Sequence, residues 1–298
     1  MNELHLHRRQ GLILMAIAVL TIPMSDTAVK WLSSSLSVGE ITWIRFLFQT
    51  LFLLPLLVVQ RYFGRPTWDH LWLGGLITSA MLFLFLGLAH LPLANNIALF
   101  FVEPLILVIF SALFLGERIT RRRWIGVFGG LVGAMVILRP NWSAYGLASL
   151  YPLAAAACYA AYLTVTRARI RTPQPRDALT LQYWVGLAAA GVMGAFLLIG
   201  GSSDWAIAEW RTPAGWDWLW LAVAGGLAAF AHVLITMAFA RADASLLAPL
   251  QYLEIFGATL LGWWVFAEWP DPLTILGGLI IIAAGIVVIR EKPADAHP

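Results

Sequence analysis

A chain of 298 residues with 60% hydrophobic and only 12% charged side chains has too little polar surface to coat a soluble globule of that size, so it belongs in a bilayer. Its net charge of +3 is accounted for by membrane topology and requires no nucleic acid, and its single cysteine, Cys158, cannot form an internal disulfide.

Apolar runs of roughly 20 residues, the length at which a helix crosses ~30 Å of hydrocarbon, predict ten spans. They lie near 11–33, 38–60, 70–89, 93–115, 122–139, 146–167, 178–200, 216–240, 244–266 and 272–290. Most connections between them are short, which leaves no room for a soluble catalytic or nucleotide-binding domain. The first span follows Arg8 and Arg9 in the manner of a signal peptide, but it is too long and has no small-residue cleavage site, so a retained helix is expected.

Within that span Asp26 and Lys30 are one turn apart with the acidic member first, a spacing at which they neutralise each other. Lys30 lies close enough to the outer end to snorkel, whereas Asp26 is deeper, beside Pro23 and Ser25. In the second span Arg45 falls roughly 10 Å below the outer surface at ~1.5 Å per residue. It must find a partner, and the candidates are Asp26, Glu40 or a substrate carboxylate or phosphate. The fourth span carries Glu103 with Asn96 and Phe100 on the same helical face, and Pro104 frees the carbonyl of Phe100. The fifth has a small-residue stripe of Gly126, Gly130 and Ala134, flanked by Gly129 and Gly133, which joins helices either within one subunit or between two. His232 stands alone in the eighth span as a proton shuttle or a hydrogen-bonded contact. The ninth places Glu254 on a face with Gln251 and Leu247, with Tyr252 nearby. Most tryptophans fall near span ends, as interfacial belts do, whereas Trp43, Phe100, Phe101, Tyr183 and Tyr252 are candidates for a cavity wall, or are ordinary packing.

Basic residues give an orientation, because Lys and Arg accumulate in short cytoplasmic loops. With the N-terminus inside, the inner side collects Arg8, Arg9, Arg61, Arg65, Arg118, Arg121, Arg122, Arg123, Arg167, Arg169, Arg171, Arg176, Arg241, Arg290 and Lys292, against Lys30, Arg139 and Arg211 outside. Both termini are therefore expected to be cytoplasmic. The run Arg121-Arg122-Arg123 is read as part of this signal rather than as a phosphate patch.

The chain also repeats itself. At an offset of about 151, Glu103 falls on Glu254, Glu117 on Glu268, Gly126 on Gly277 and Arg139 on Arg290, and Gly74-Gly75-Leu76 falls on Gly225-Gly226-Leu227. The first two spans of each half match at an offset nearer 137, where Arg45 meets Gln182, and the extra residues fall in the longest connector, about 201–215, which looks interfacial. Five spans per half is an odd number, so the halves must be inverted, and residues in mid-span then meet near the midplane. Glu103 and Glu254 are that pair.

Glu103-Pro104, then Leu115-Gly116-Glu117, Gly126 and Gly133, together with Arg45-Phe46 early in the second span, resemble the ten-helix exporters and uptake carriers of the drug/metabolite transporter superfamily, in which each half is an EamA-type domain. The resemblance covers nearly the whole chain. It departs in the second half, where Ile255 replaces Pro104 and Ala267 replaces Gly116, so a helix break there is open. The family likeness implies a central cavity walled by both halves and alternately open to each side, with the fifth and tenth helices peripheral. It also implies small polar substrates: amino acids, nucleotide-derived cofactors, sugars, amines and drugs. Because the resemblance includes Arg45, that residue is either a structural ion-pair partner or a substrate anchor.

The expected fold class is an all-α integral membrane protein of ten transmembrane helices in two inverted five-helix repeats. The expected division is a cytoplasmic segment at 1–10, repeats at 11–143 and 144–291, and a cytoplasmic tail at 292–298. Two carboxylates forced together in a low-dielectric cavity do not both ionise easily, so Glu103 and Glu254 are expected to bind a cationic or amino-group substrate, to exchange a proton, or to do both in turn, or else to serve as interhelical contacts. The candidate substrate or proton residues are Glu103, Glu254, Asp26, Arg45, Lys30, Asn96, Phe100, Gln251, Tyr252, Trp43, Tyr183 and His232. No GxxxxGK, HExxH or GxSxG motif and no metal-spaced histidine or cysteine cluster occurs, so neither enzyme activity, cofactor nor metal is expected. The expected function is secondary transport of a small polar or zwitterionic metabolite, of amino acid, amine or nucleotide-derived cofactor type, across a bacterial inner membrane by alternating access. Protons are candidate coupling ions. The expected partners are the substrate and the lipid bilayer, with no nucleic acid, and the chain is expected as a monomer or weak homodimer. The rival function is a lipid or amphiphile flippase of the same fold.

Overall fold

The computed structural model of the chain describes residues 2–91, 93–138, 146–170, 174–200, 209–266 and 271–290. Among these residues the regular structure is entirely helical: α1 (Asn2–Leu32), α2 (Val38–Gln60), α3 (Trp68–His90), α4 (Leu93–Phe100), α5 (Glu103–Leu115), α6 (Arg121–Leu138), α7 (Leu150–Arg169), α8 (Pro175–Gly200), α9 (Asp217–Phe239), α10 (Ala244–Leu247), α11 (Leu253–Phe266) and α12 (Pro272–Ile289). Eight helical stretches are long and apolar enough to cross a membrane, counting α10 to α11 as one. The other two predicted spans are α4 with α5, which is broken, and α6, which opens on three arginines.

Local chemistry sets the ends. The Ser37 hydroxyl accepts from the Glu40 amide to start α2, and Asp271 accepts from Thr274 at 2.8 Å to start α12. Gly116, at φ 68°, turns the chain out of α5 in the left-handed region that glycine enters without a Cβ penalty.

Both mid-chain breaks trace to proline. Pro104 has no N–H for the Phe100 carbonyl, and the chain interrupts its helix at Phe101 and Val102 before α5 begins. The second half breaks too, although Ile255 replaces that proline. Here Pro249 opens a tightened 3-10 stretch, Ala248–Tyr252, between α10 and α11.

The repeat is visible in the elements themselves. α10, α12 and the end of α11 each lie 151 residues after α4, α6 and the end of α5. α1 packs on α9 and α11 as α7 packs on α3 and α5, while α2 packs on α8 and α6 on α12. Such exchange is what a two-fold axis between the halves produces, and five spans per half put that axis in the membrane plane.

The glycine stripe of α6 works inside this one chain. A Cβ on Gly133 would stand 2.7 Å from the Gly277 carbonyl, and one on Gly277 would stand 2.6 Å from the Gly133 carbonyl, so α6 and α12 meet backbone to backbone. Gly130 lies against the Tyr252 ring. Outward faces are apolar, with Trp68, Trp72, Trp216 and Trp264 exposed as the belt pattern requires. Gly133→Val is expected to lower the thermal unfolding temperature of detergent-purified protein, at about 1–3 kcal/mol for overpacking against rigid backbone. Gly75→Ala, whose Cβ would meet nothing within 4 Å, is expected to leave it unchanged or raised.

Candidate functional site

The two helix breaks meet, and they carry the acidic pair with them. Glu103 is the first residue of α5 and Glu254 lies in the first turn of α11, so each carboxyl sits at a helix N-terminus, where the dipole favours negative charge. Glu103 is 2% exposed, and its Oε1 accepts from Gln251 Nε2 at 3.5 Å. Phe101 and Tyr252, equivalent positions 151 residues apart, stack with ring centroids 6.0 Å apart, and the Tyr252 hydroxyl donates to the Phe101 carbonyl at 3.1 Å. The sequence expected the Phe100 carbonyl to be the one left free beside Glu103. The carbonyl actually taken up by the opposite half is that of Phe101, because the turn at Phe101 and Val102 redirects the Leu105 amide to Val102.

Around this junction the charges gather. Glu254 lies within electrostatic reach of both Glu103 and Asp26. Asp26 in turn faces Arg45, with Oδ1 4.0 Å from the guanidinium. Glu40, the alternative partner, is instead taken by the Arg211 amide at 3.1 Å. Arg45 is buried, rides over the Phe46 ring at 5.8 Å, and leaves its Nε without a hydrogen-bond partner.

Asp26 reveals the space these groups share. Its side chain is 54% exposed although it sits in mid-helix. The exposed outer stripe of α1 is Ile13, Ile17, Leu20 and Met24, and Asp26 is roughly 200° around from Met24, on the stripe of Met15, Val19 and Ile22. Ser25 fixes that orientation by donating to the Ala224 carbonyl of α9 at 3.0 Å. Asp26 therefore lies on the bundle-facing side of α1, beside Arg45, and not on its outer stripe.

An aromatic and polar wall continues from the acidic pair along α7. Phe100 tilts on Tyr159 at 5.9 Å, and Tyr159 stacks on Tyr162 at 5.8 Å. Tyr159 is within electrostatic reach of Glu103, Glu254 and Arg45 together. Next to it, Gln182 Nε2 donates to the Tyr162 hydroxyl at 3.0 Å and to Thr236 Oγ1 at 2.7 Å. His232 edges against the Tyr162 ring. Its Nδ1 must donate to the Ala228 carbonyl at 2.9 Å, which leaves Nε2 as a buried acceptor without a partner.

Of the residues proposed from sequence, the fold brings Glu103, Glu254, Asp26, Arg45, Phe100, Gln251 and Tyr252 to this junction, with His232 one aromatic ring away. Others go elsewhere. Asn96 does not share a continuous face with Glu103, because the helix breaks between them; its amide donates to the Leu84 carbonyl of α3 at 3.0 Å, against Gly87. Trp43 donates to the Ala190 carbonyl at 3.0 Å and packs between α2 and α8 beside Trp210. Tyr183 packs on Phe63 and Trp184. The side chain of Lys30, like residues 139–145 and 267–270, lies outside what is described. Tyr159, Tyr162 and Thr236 were not singled out from sequence. For the two tyrosines the signal was a hydroxyl-bearing stripe at 159, 162 and 166 in an otherwise alanine-rich span; Thr236 gave none.

The sequence matches the EamA-like transporter family twice, over residues 9–139 and 146–290. The chain is a member of the EamA-like transporter family. Among similar curated proteins are a riboflavin transporter of Rhizobium johnstonii, 28% identical over 95% of this chain and 91% of that protein, and an S-adenosylmethionine uptake transporter of Rickettsia prowazekii, 26% identical over 95% and 93%. A pseudopaline exporter of Pseudomonas aeruginosa is 30% identical over 95% of this chain and 97% of its own length. A solved crystal structure at 20% sequence identity superposes with a TM-score of 0.81, covering 94% of this chain and 97% of the other, which establishes the fold. This EamA protein is thus a multi-pass membrane transporter of small metabolites and not an enzyme.

Tyr252→Phe keeps the ring stack but strands the buried Phe101 carbonyl. It is expected to cost about 1–3 kcal/mol, read as a lowered unfolding temperature in detergent.

Proposed function

We propose that this EamA protein carries a zwitterionic metabolite through the junction of its two halves, coupled to protons, by alternating access across a bacterial inner membrane with both termini in the cytoplasm. The observation that carries the reading is Asp26: a half-exposed carboxylate inside the bundle, beside Arg45 and within electrostatic reach of Glu254, which in turn is within reach of Glu103. Three acids against one arginine leave a surplus of negative charge in a poorly hydrated place, so the site favours a cation, a proton or both. Arg45, with its Nε unfilled and only a long contact to Asp26, takes a substrate carboxylate or phosphate. The substrate's amino group then meets Glu103 and Glu254, whose protons leave as it binds. Tyr159 and Phe100 offer aromatic faces to a cation or a flat ring.

The relatives support a metabolite cargo without fixing it, since their names include both uptake transporters and an exporter. Orientation rests on the distribution of arginines. A thermal-shift screen of purified protein against amino acids, amines and nucleotide-derived cofactors, followed by proteoliposome flux of each hit, tests the proposal. Native protein is expected to show flux that changes with an imposed pH gradient. Glu103→Gln is expected to lose that response, and Arg45→Ala is expected to weaken binding of anion-bearing hits by roughly tenfold or more, the factor carried by loss of one charge-assisted hydrogen bond. Unchanged flux and pH response in Glu103→Gln would remove the proton-coupling reading.

A further inference from the structure

At the arginine-rich end of the bundle a cluster of charges ties the first repeat to the second. Glu117, one residue beyond the Gly116 turn, accepts from the amides of Ala244 and Ser245 at 2.9 Å each and from the Ser245 hydroxyl at 2.6 Å. Arg123 of α6 donates to Asp243 Oδ2 at 2.9 Å and to the Ser245 hydroxyl. Arg167 of α7 stands between the acids, 3.6 Å from Glu117 and 3.6 Å from Asp243, and donates to the Phe239 carbonyl at 2.6 Å. All of these bonds converge on residues 239 to 245, the connection from α9 into the short α10 that begins the broken ninth span.

The two sides of the central junction are therefore unequal. Beyond the cluster a cavity of about 430 Å³ is lined by Leu115, Gly116, Glu117, Arg118, Arg167 and Asp243. Between the cluster and the junction lie Tyr162, Thr166 and Thr236, which have essentially no exposure. On the other side of the junction Asp26 is half-exposed. The strength of the cluster also suits a closure that must reopen. The Glu117 side chain is 7% exposed and makes three hydrogen bonds and one ion pair with three residues, whereas that of Asp243 is 44% exposed, so part of the ionic energy is screened by water and recoverable on opening.

We propose that Glu117, Arg123, Arg167, Asp243 and Ser245 form the latch that closes the pathway at the arginine-rich face, and that this structure is the state open toward the opposite face. Release frees the α9–α10 connection and lets the broken span swing away from α7. The latch rests on reading the central junction as the transport site, and its test uses no substrate, so either reading can fail alone.

The test is accessibility of Thr166→Cys, one residue from Arg167 and just behind the latch, in a Cys158→Ala background. A membrane-impermeant charged thiol reagent is applied to inverted and to right-side-out vesicles. With the latch intact, labelling is expected to be slow from both faces. Glu117→Ala, which removes the cap of α10, and Arg167→Gln, which removes the two 3.6 Å pairs and the bond to the Phe239 carbonyl, are each expected to raise labelling roughly tenfold or more from the arginine-rich face alone. Should Glu117→Ala fail to fold, Arg167→Gln decides, with its unfolding temperature as the control. Unchanged labelling in a folded variant, or an equal rise from both faces, overturns the proposal.

Discussion

A helix that stops halfway across a bilayer exposes carbonyls and amides where no water is at hand, and each must find a partner inside the protein. In this EamA transporter two such stops, at Phe101 and at Ala248–Tyr252, are set against each other across the axis that relates the halves. The Tyr252 hydroxyl closes the gap on one side by taking the Phe101 carbonyl. The amide ends of α5 and α11 are served by the carboxyl groups they carry, Glu103 and Glu254, which gain from the positive ends of those helices. The same geometry that solves a backbone problem thus delivers two acids to the middle of the fold.

What those acids can do depends on water. Were the junction dry, the pair would be interhelical contacts and nothing more. Asp26 argues otherwise, since a half-exposed carboxylate on the inward stripe of α1 needs a hydrated space in front of it. Arg45 then has a reason to be buried with an unfilled Nε: it offsets part of the acidic charge without being consumed by it. The wall of Phe100, Tyr159 and Tyr162 runs from there toward Arg167, where a cluster of charges ties the halves together at the arginine-rich end. Closure at that end beside a half-exposed centre is what the proposed alternating access calls for.

Much of this was legible in the residues. Apolar run lengths matched the eight helical stretches that are long and apolar enough to cross a membrane, together with α4–α5 and α6, and the offset of 151 placed α4, α5 and α6 on α10, α11 and α12 and singled out Glu103 and Glu254. The second helix break was not legible from its motif, because the proline that causes it, Pro249, lies in a different register from Pro104. Asn96 was assigned to the wrong neighbours for a related reason: counting turns from Glu103 presumes a continuous helix, and the chain breaks between them. Tyr159 and Tyr162 escaped notice because an aromatic residue in an apolar span looks like packing until its neighbours are known. Arg123 was read as a charge that sets orientation, yet it is buried against Asp243 and Ser245, a role that only tertiary contacts disclose.

The central claim is that Glu103 and Glu254 border one aqueous space between the halves. Replacing each in turn by cysteine, in a Cys158→Ala background, and measuring the rate of modification by an impermeant thiol reagent from either face of sealed vesicles tests it directly. Both positions are predicted to react from the same face, with a short bifunctional thiol reagent bridging them in the double variant. Reaction of the two from opposite faces, or no reaction of either in folded protein, contradicts the account.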